Sequence, residues 1–411
     1  MFDYAEEQTG TVRHAIDVVD AIDVVDVIDV IVVGAGPSGC YTAYQLARDG
    51  FDVVVLEKNG TSNQPPVCTG VLGVEAFERF DLPRDSILSH VKDLHFIGPS
   101  GQRILFCPQE VQAHVVDRTM FNEGLKRLAR QHGVALREET ACTGISIADS
   151  HVEIKLSHNG GSGDSGDSLR ARALVLACGS SPDLTRAAGL GVIGPYVEGA
   201  QAEVQMKDFS ATEIYVGRNV APSSFGWAVR LNDGRARVGV VTKTRACHFL
   251  EKLLVSDFLR ERIRSKGRIL RKIIPCGRLE RSYTDRTLVV GEAAGQVKTT
   301  THGGIYYGLI GACAAAETLK RALRLNDFGA RILQEYEQKW RSQLEPELQR
   351  GLLLRKFFER LSDGQIDKLF SLASKDGIME LVQKKARFDW HGELIASLME
   401  HTLLRRFRIG L

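Results

Sequence analysis

Residues 27–57 constrain the fold more than any other stretch. Val27–Val33 is a β-branched run with one aspartate, short enough for a buried strand. Gly34-Ala35-Gly36-Pro37-Ser38-Gly39 follows it directly, and Cys40–Arg48 then reads as a helix with small and apolar residues inward. Phe51–Leu56 is a second buried strand ending at Glu57, 57 − 34 = 23 positions after the first glycine, with Lys58 beside it. Gly34 permits a tight turn. Gly36, ahead of Pro37 and Ser38, lets backbone N–H groups approach a pyrophosphate at the positive helix end. Gly39 lets helix and strand pack closely, and Glu57 can accept hydrogen bonds from a ribose diol. Strand, glycine turn, helix, strand and acid in this order predict a dinucleotide site on a Rossmann-like α/β domain.

Two other stretches match the glycine spacing without that context. Gly161–Gly166 lies in a polar Gly/Ser/Asp tract (157–168) with no strand before it and reads as a flexible loop. Gly189–Gly194 runs into Pro195 where a helix should begin. Neither is expected to bind a nucleotide.

The 411 residues, 44% apolar, can bury one large core or two domains and an appendage. Basic and acidic residues nearly cancel, 53 against 51, so no global field favours nucleic acid. Eight cysteines without a C-x-x-C pair read as reduced cytosolic thiols, with neither disulfides nor a metal site. No apolar run reaches the roughly 18–20 residues of a membrane span. The expected location is cytoplasmic, with peripheral contact at the inner membrane surface as an option. Ahead of the glycine motif, Ala15–Asp20, Ala21–Asp26 and Val27–Val32 repeat one hexamer. Residues 1–26 read as a disordered extension, because Asp at every third place spoils a continuous strand.

Beyond Glu57, two prolines and small residues make an irregular loop, Gln64–Gly73, around Cys68, Thr69 and Gly70. Cys68 reads either as a small buried hydrophobe or as a group beside a ligand, since the Thr-Gly after it lets backbone close on one. Leu94–Ile97 and Arg103–Phe106 form a hairpin, and residues 91–110 are expected to join the later sheet. Asp117-Arg118 opens an amphipathic helix with apolar positions at 121, 125 and 128. Arg118 there either anchors a phosphate or is simply solvated. Ala171–Ala177 is a buried strand, and its turn through Cys178 and Gly179 meets a ligand edge or another backbone.

Residues 191–282 change to alternating runs and a hairpin turn at Asn232–Gly234, which predicts an antiparallel sheet. Such a sheet can present one face to a ligand. The strand Thr287–Val290 then returns to the first domain and leads into Gly291, Glu292 and Gly295. Gly303, Gly304 and Ile305 open a long helix, 305–324. A second helix N-terminus aimed into the same cleft would take a phosphate or an electron-rich ring edge. The domain division is therefore 27–190 plus 283–325, 191–282, and a region helical throughout from 326 to 411. The last stretch, 403–411, is basic and apolar and suits either solvent or anionic lipid.

These motifs carry a resemblance. The sequence resembles the geranylgeranyl reductase family, flavoproteins of the para-hydroxybenzoate hydroxylase-like superfamily, over about residues 27–350. The glycine motif and Asp117-Arg118-x-x-Phe121 are shared with the whole superfamily. Gly291–Lys298 leading to Gly303–Leu309, the Cys68-x-Gly70 loop, Phe225-x-Trp227 with Val238-Gly239, and Glu347-Leu-x-x-Gly351-x-x-x-Arg355 are similar to the reductase branch. The resemblance implies FAD, an isoprenoid lipid whose C=C bonds are saturated, and NADPH or a ferredoxin-like electron donor. The fold implied is a Rossmann-like FAD domain, an antiparallel-sheet substrate domain and C-terminal helices.

By this resemblance Phe225, Trp227 and Gly239 border the substrate, and Cys68 serves proton relay or flavin-edge contact, with Tyr306 and Tyr307 as competitors. Glu292 replaces the family's usual Asp but keeps a carboxylate for a ribitol hydroxyl. Val229-Arg230 stands where Phe-Pro is usual. Thr299 and His302 replace Pro and Gly, and His302 can stabilise charge on the reduced ring, deliver a proton, or play no part. Two rival readings share the fold: a flavin monooxygenase or halogenase, and a lipid-binding flavoprotein that only passes electrons.

Overall fold

A computed structural model describes residues 27–60, 66–158, 166–374 and 377–401 of the chain. The hexamer copies before Val27, most of the polar tract after His158 and the basic stretch 403–411 lie outside the described residues.

Ile28–Val33 is the middle strand of a mixed sheet. It pairs in parallel with Val53–Leu56 on one side (Val30 opposite Val53) and with Ser168–Leu176 on the other (Val30 opposite Ala173). Thr287–Val289 extends the layer beyond Ser168–Leu176, and Ala135–Arg137 beyond Val53–Leu56, both in parallel. Strand order therefore reverses at Ile28–Val33, and the glycine loop leaves its carboxyl end at that switch point. Ile28–Val33, Val53–Leu56 and the second half of Ser168–Leu176 are buried on both faces, which is why they read as continuous apolar runs, whereas the edge strand Ala135–Arg137 is largely exposed. The lone Asp29 sits near the strand's start, where its carboxylate accepts from Arg172 Nη1 at 2.6 Å and from the Asp52 amide at 3.0 Å.

The first helix spans Pro37–Ala47, three residues earlier than the expected start. Proline fits the first turn because its missing N–H would have no partner there. It packs against Ile305–Leu325, the long helix whose left-handed cap is Asn326. Asp117 caps Arg118–Gln131 by accepting from the Thr119 and Met120 amides at 2.8 and 2.9 Å. The polar tract is shorter than its composition suggested, since Val152–His158 and Ser168–Leu176 extend into both ends of it as paired strands.

The second large sheet is mainly antiparallel. Tyr196–Met206 pairs with Arg235–Thr242, which pairs with Phe225–Arg230 and through it with Thr212–Val216. Leu94–Ile97 joins alongside Thr212–Val216 in parallel and carries its hairpin partner Arg103–Phe106 with it. The period of two sorts the sheet's faces. Ala228, Val238 and Val240 pack under helix Ala246–Leu254, while Trp227, Val229 and Val241 point the other way.

The C-terminal region is a run of separate helices, Ala330–Phe358, Asp363–Ala373, Ile378–Lys385 and Gly392–Glu400, and 386–391 is the longest non-helical segment between them. The first of them is welded to the mixed sheet. Tyr336 donates to the Val289 carbonyl at 2.5 Å, and Trp340 Nε1 donates to Ser282 Oγ at 3.0 Å.

Candidate active site

A single cavity of about 1540 Å³ runs from the glycine loop, beneath the antiparallel sheet, to the C-terminal helices. At its first end Gly36, Pro37 and Ser38 line it, together with Ala177 and Gly179. A Cβ on Gly39 would lie 1.9 Å from the Gly34 carbonyl oxygen, so only glycine lets the helix approach its own strand this closely. Gly36, by contrast, has nothing within 4 Å of such a Cβ and faces the cavity. Its helix has no side-chain cap, which leaves the first N–H groups turned to the cavity.

The second glycine segment meets the first on one residue. Added Cβ atoms on Gly291 and Gly308 would lie 2.5 and 2.3 Å from Ser38 Oγ. This brings Gly291–Ala294 and the start of helix Ile305–Leu325 against the first helix start, and Gly303, Gly304 and Ile305 line the cavity beside it. Two polar atoms there are buried without hydrogen bonds, Arg118 Nε and Glu292 Oε1. Arg118 otherwise donates to Asn122, and the other Glu292 oxygen accepts from Lys272 Nζ at 2.7 Å. Uncapped N–H groups, an unpaired guanidinium nitrogen and an unpaired carboxylate oxygen fit a ligand carrying both phosphates and hydroxyls, as FAD does.

Not every expected residue reaches the cavity. Glu57 lies across the glycine loop instead, accepting from the Ala35 amide at 2.9 Å and from the Asn59 amide at 3.0 Å. Lys58 is exposed, and Gly295 packs against Arg278. Tyr307 is buried, with its hydroxyl donating to the Asp389 carbonyl at 3.2 Å, and it does not line the cavity, unlike Tyr306. Gly239 sits behind Trp227. A Cβ there would lie 2.2 Å from Trp227 Cζ2, so its absence is what seats the indole. Trp227 and Phe225 both line the cavity, ring centroids 5.9 Å apart.

The Cys68 loop is held against the antiparallel sheet. Gln201 Nε2 donates to the Cys68 carbonyl at 3.3 Å, Thr69 donates to Gln201 Oε1 at 3.1 Å, and Arg237 Nη1 donates to the Thr69 and Val116 carbonyls at 2.8 and 3.0 Å. Burial alone would push the Cys68 thiol up. The charges of Arg118 and Lys272, with the Gly70 amide, outweigh it and hold the thiol below its ordinary value of 9.0.

His302 behaves otherwise. It is buried in the left-handed region, with φ of 59°, its Nδ1 3.7 Å from Cys276 Sγ and its Nε2 without a partner. Burial first, and then the Arg355 charge, pull its pKa down to about 3. The ring is therefore a neutral imidazole near neutral pH, a poor source of a full proton, while an N–H at its partnerless Nε2 would remain able to face negative charge.

Gln201, Arg237 and Lys272 escaped the sequence reading because they sit at ordinary outward-alternating strand positions. The apolar cap escaped it too. Phe357, Ile366, Phe370, Val382 and Leu398 line the far half of the cavity. The only signal was the excess of Phe, Leu and Ile among Lys and Arg in the last helices.

Fold and site together define an FAD-dependent oxidoreductase. The family model for pyridine nucleotide-disulphide oxidoreductases matches residues 28–211. The chain is 28% identical over 363 residues to a digeranylgeranylglycerophospholipid reductase of Methanocaldococcus jannaschii, covering 84% of this chain and 91% of that one. A geranylgeranyl bacteriochlorophyll reductase-like structure from Thermoplasma acidophilum superposes with a TM-score of 0.81 at 21% identity, over 93% of this chain and 99% of that one. Halogenase PltM, solved with phloroglucinol and FAD, superposes with a TM-score of 0.65 at 16% identity, over 93% and 85%. The resemblance to the geranylgeranyl reductases thus extends over most of the chain.

Proposed function

We propose that the protein reduces C=C double bonds of a prenyl lipid, using FAD. The observation that carries this reading is the continuity of one cavity between the glycine-bearing helix starts and a long apolar chamber. In it Gly36 and Ser38, Arg118, Glu292 and the start of helix Ile305–Leu325 hold the cofactor. Bound FAD supplies hydride chemistry at a ring edge. The protein's part is then positional. Trp227 and Phe225 from the sheet, with Phe357, Phe370 and Leu398 from the cap, hold an isoprenoid chain in place and keep water out. An unactivated alkene develops little charge for fixed dipoles to stabilise, so alignment carries most of the catalysis. Cys68, with its lowered thiol, sits at this end and holds or relays the proton; neutral His302 does not deliver one.

No helix among the described residues is long and apolar enough to cross a membrane. Exposed Leu353 and Phe358, at 56% and 38% and flanked by Lys356 and Arg360, supply a peripheral lipid contact where the chamber opens. NADPH or a ferredoxin-like protein serves as electron donor.

The test is to reduce the purified protein anaerobically and mix it with geranylgeranyl lipids. Return of the oxidised flavin spectrum, with a mass gain of two hydrogens per bond reduced, is the expected result. Oxygen uptake coupled to NADPH oxidation with a phenol would instead mark a monooxygenase. Quinone reduction without any lipid product would mark an electron-transfer flavoprotein.

A further inference from the structure

The outer edge of the antiparallel sheet carries a charge imbalance that the chain as a whole does not. Ile263–Lys266 and Leu270–Pro275 lie end to end along one side of Tyr196–Met206, and among the described residues no further strand pairs with them. Residues 260–272 hold seven cations against the single carboxylate of Glu261, in a chain whose charges nearly cancel. Four of the seven are paired within the fold: Arg260 with Asp257 at 3.1 Å, Arg262 with Glu213 at 2.8 Å, Arg271 with Glu198 at 2.8 Å and Lys272 with Glu292 at 2.7 Å. Arg264, Lys266 and Arg268 are exposed, and among the described residues their side chains have neither an ion pair nor a hydrogen bond. Lys207 adds an exposed cation beside them, its amide donating to the Arg262 carbonyl at 2.9 Å.

Charge on an edge strand often serves only to keep it from pairing with another chain. Two features point past that here. Leu270–Pro275 is also a wall of the cavity, because Lys272 and Ile274 line it and Lys272 reaches Glu292 at the cofactor end. A protein docked along the outer edge therefore lies one strand away from that end. The segment Arg264-Ser-Lys-Gly-Arg268, moreover, has no apolar side chain to enter a lipid surface, unlike Leu353 and Phe358 on the cap. A row of unpaired cations without an apolar centre complements an acidic protein surface and steers its approach. We infer that this basic edge is the docking surface of an acidic one-electron carrier protein, the source of reducing equivalents for the flavin. Two reduced carriers each lose one electron per FAD reduced, and water supplies the two protons. This rests on the flavin-reductase reading and chooses between its two electron donors.

The test measures binding of a plant-type ferredoxin, an acidic carrier, to the FAD-loaded protein by titration calorimetry. The wild type is expected to bind it with an affinity that falls steeply as salt rises. Arg264→Glu, Lys266→Glu and Arg268→Glu together should weaken binding by roughly tenfold or more at low salt, with FAD content and melting temperature unchanged. Glutamine at the same three positions should cost less, and serves as the measurement should the reversed protein fail to fold. The same charge change at Arg137, Arg331 and Lys384, exposed on the mixed sheet and the C-terminal helices, should leave most of the affinity. Equal losses in both charge-reversed proteins would mean that only net charge is felt, and would overturn the assignment. So does a wild type that does not bind the ferredoxin, or binding that survives the edge reversal. Phosphatidylglycerol vesicles that hold the wild type and release the edge variant, with no ferredoxin bound, mark a membrane contact and overturn it too. Lipid reduction is tested on chemically reduced protein with no carrier present, so either reading can fail alone.

Discussion

Lys298 and Asp389, 91 positions apart, form a buried ion pair that fastens the loop ahead of helix Ile305–Leu325 to the C-terminal cap. The pair is not alone. Thr300 meets His391 Nδ1 at 2.7 Å, and Glu75 accepts from Tyr306 at 2.5 Å, from Trp390 Nε1 at 3.0 Å and from Arg387 at 2.9 Å. The non-helical segment 386–391 is thus a clasp, and its lack of helix frees the backbone to make these reaches. Removing only the acid strands the ammonium. Asp389→Asn should cost about 3–5 kcal/mol in chemical denaturation. The double variant Lys298→Met with Asp389→Leu should recover most of that loss, and a double variant as unstable as the single one would refute the account.

Two neighbouring glycines should respond differently to the same methyl group. Gly39→Ala drives a Cβ into the Gly34 carbonyl and must part helix from strand, so both thermal stability and flavin content should fall. Gly36→Ala meets no protein atom within 4 Å and should leave the melting temperature of the FAD-free protein within about 2 °C. Its FAD dissociation constant should still rise by roughly tenfold or more, because the methyl group stands where the pyrophosphate approaches. Fluorescence titration of FAD against both variants separates the two effects.

The Cys68 thiol should ionise below 9.0, since Arg118 and Lys272 favour the thiolate by more than burial opposes it. Burial lifts Cys40 and Cys142 to about 12, and Cys178 and Cys313 to about 11. The pH dependence of iodoacetamide labelling at Cys68, read by peptide mass spectrometry, should therefore have its midpoint under 9. Arg118→Met should move that midpoint upward. A midpoint that does not move would remove Arg118 as the cause.

Acid should destabilise the fold through two histidines. Burial pulls His302 to about 3 and His391 to about 4, from an ordinary value of 6.5, with the charges of Arg355 and Lys298 adding respectively. Below 6.5 the unfolded chain takes up protons that these rings refuse, so stability declines as pH falls. The decline from each ring ends once pH passes its folded value. Each contributes up to about 1.4 kcal/mol per pH unit across its window. His302→Gln and His391→Gln should each flatten the stability profile between pH 6 and roughly 4, as followed by urea melts.

Much of this architecture was legible because it rests on local rules. The Ile28–Val33 strand, the glycine turn and the return at Thr287–Val289 declare themselves through β-branched runs next to glycines whose spacing has a steric purpose. What stayed hidden depends on partners far apart in the chain. Nothing near Glu57 reveals that its carboxylate lies over Ala35, and nothing near Tyr307 shows its hydroxyl turning to Asp389 rather than to the cavity. Arg237 looks like any outward strand residue until Thr69 and Val116 are brought beneath it. The chamber's far wall is the extreme case, since amphipathic helices announce that they bury a face but not what lies opposite.

The strand Thr287–Val289 has a further consequence for how the enzyme is made. It completes the glycine-bearing layer only after the ribosome has synthesised the whole antiparallel sheet, so the nascent chain carries an open edge at Leu174–Leu176 through that interval. Flavin capture is then a late event in biogenesis, since Gly291 and the helix start at Ile305 follow this strand in the chain.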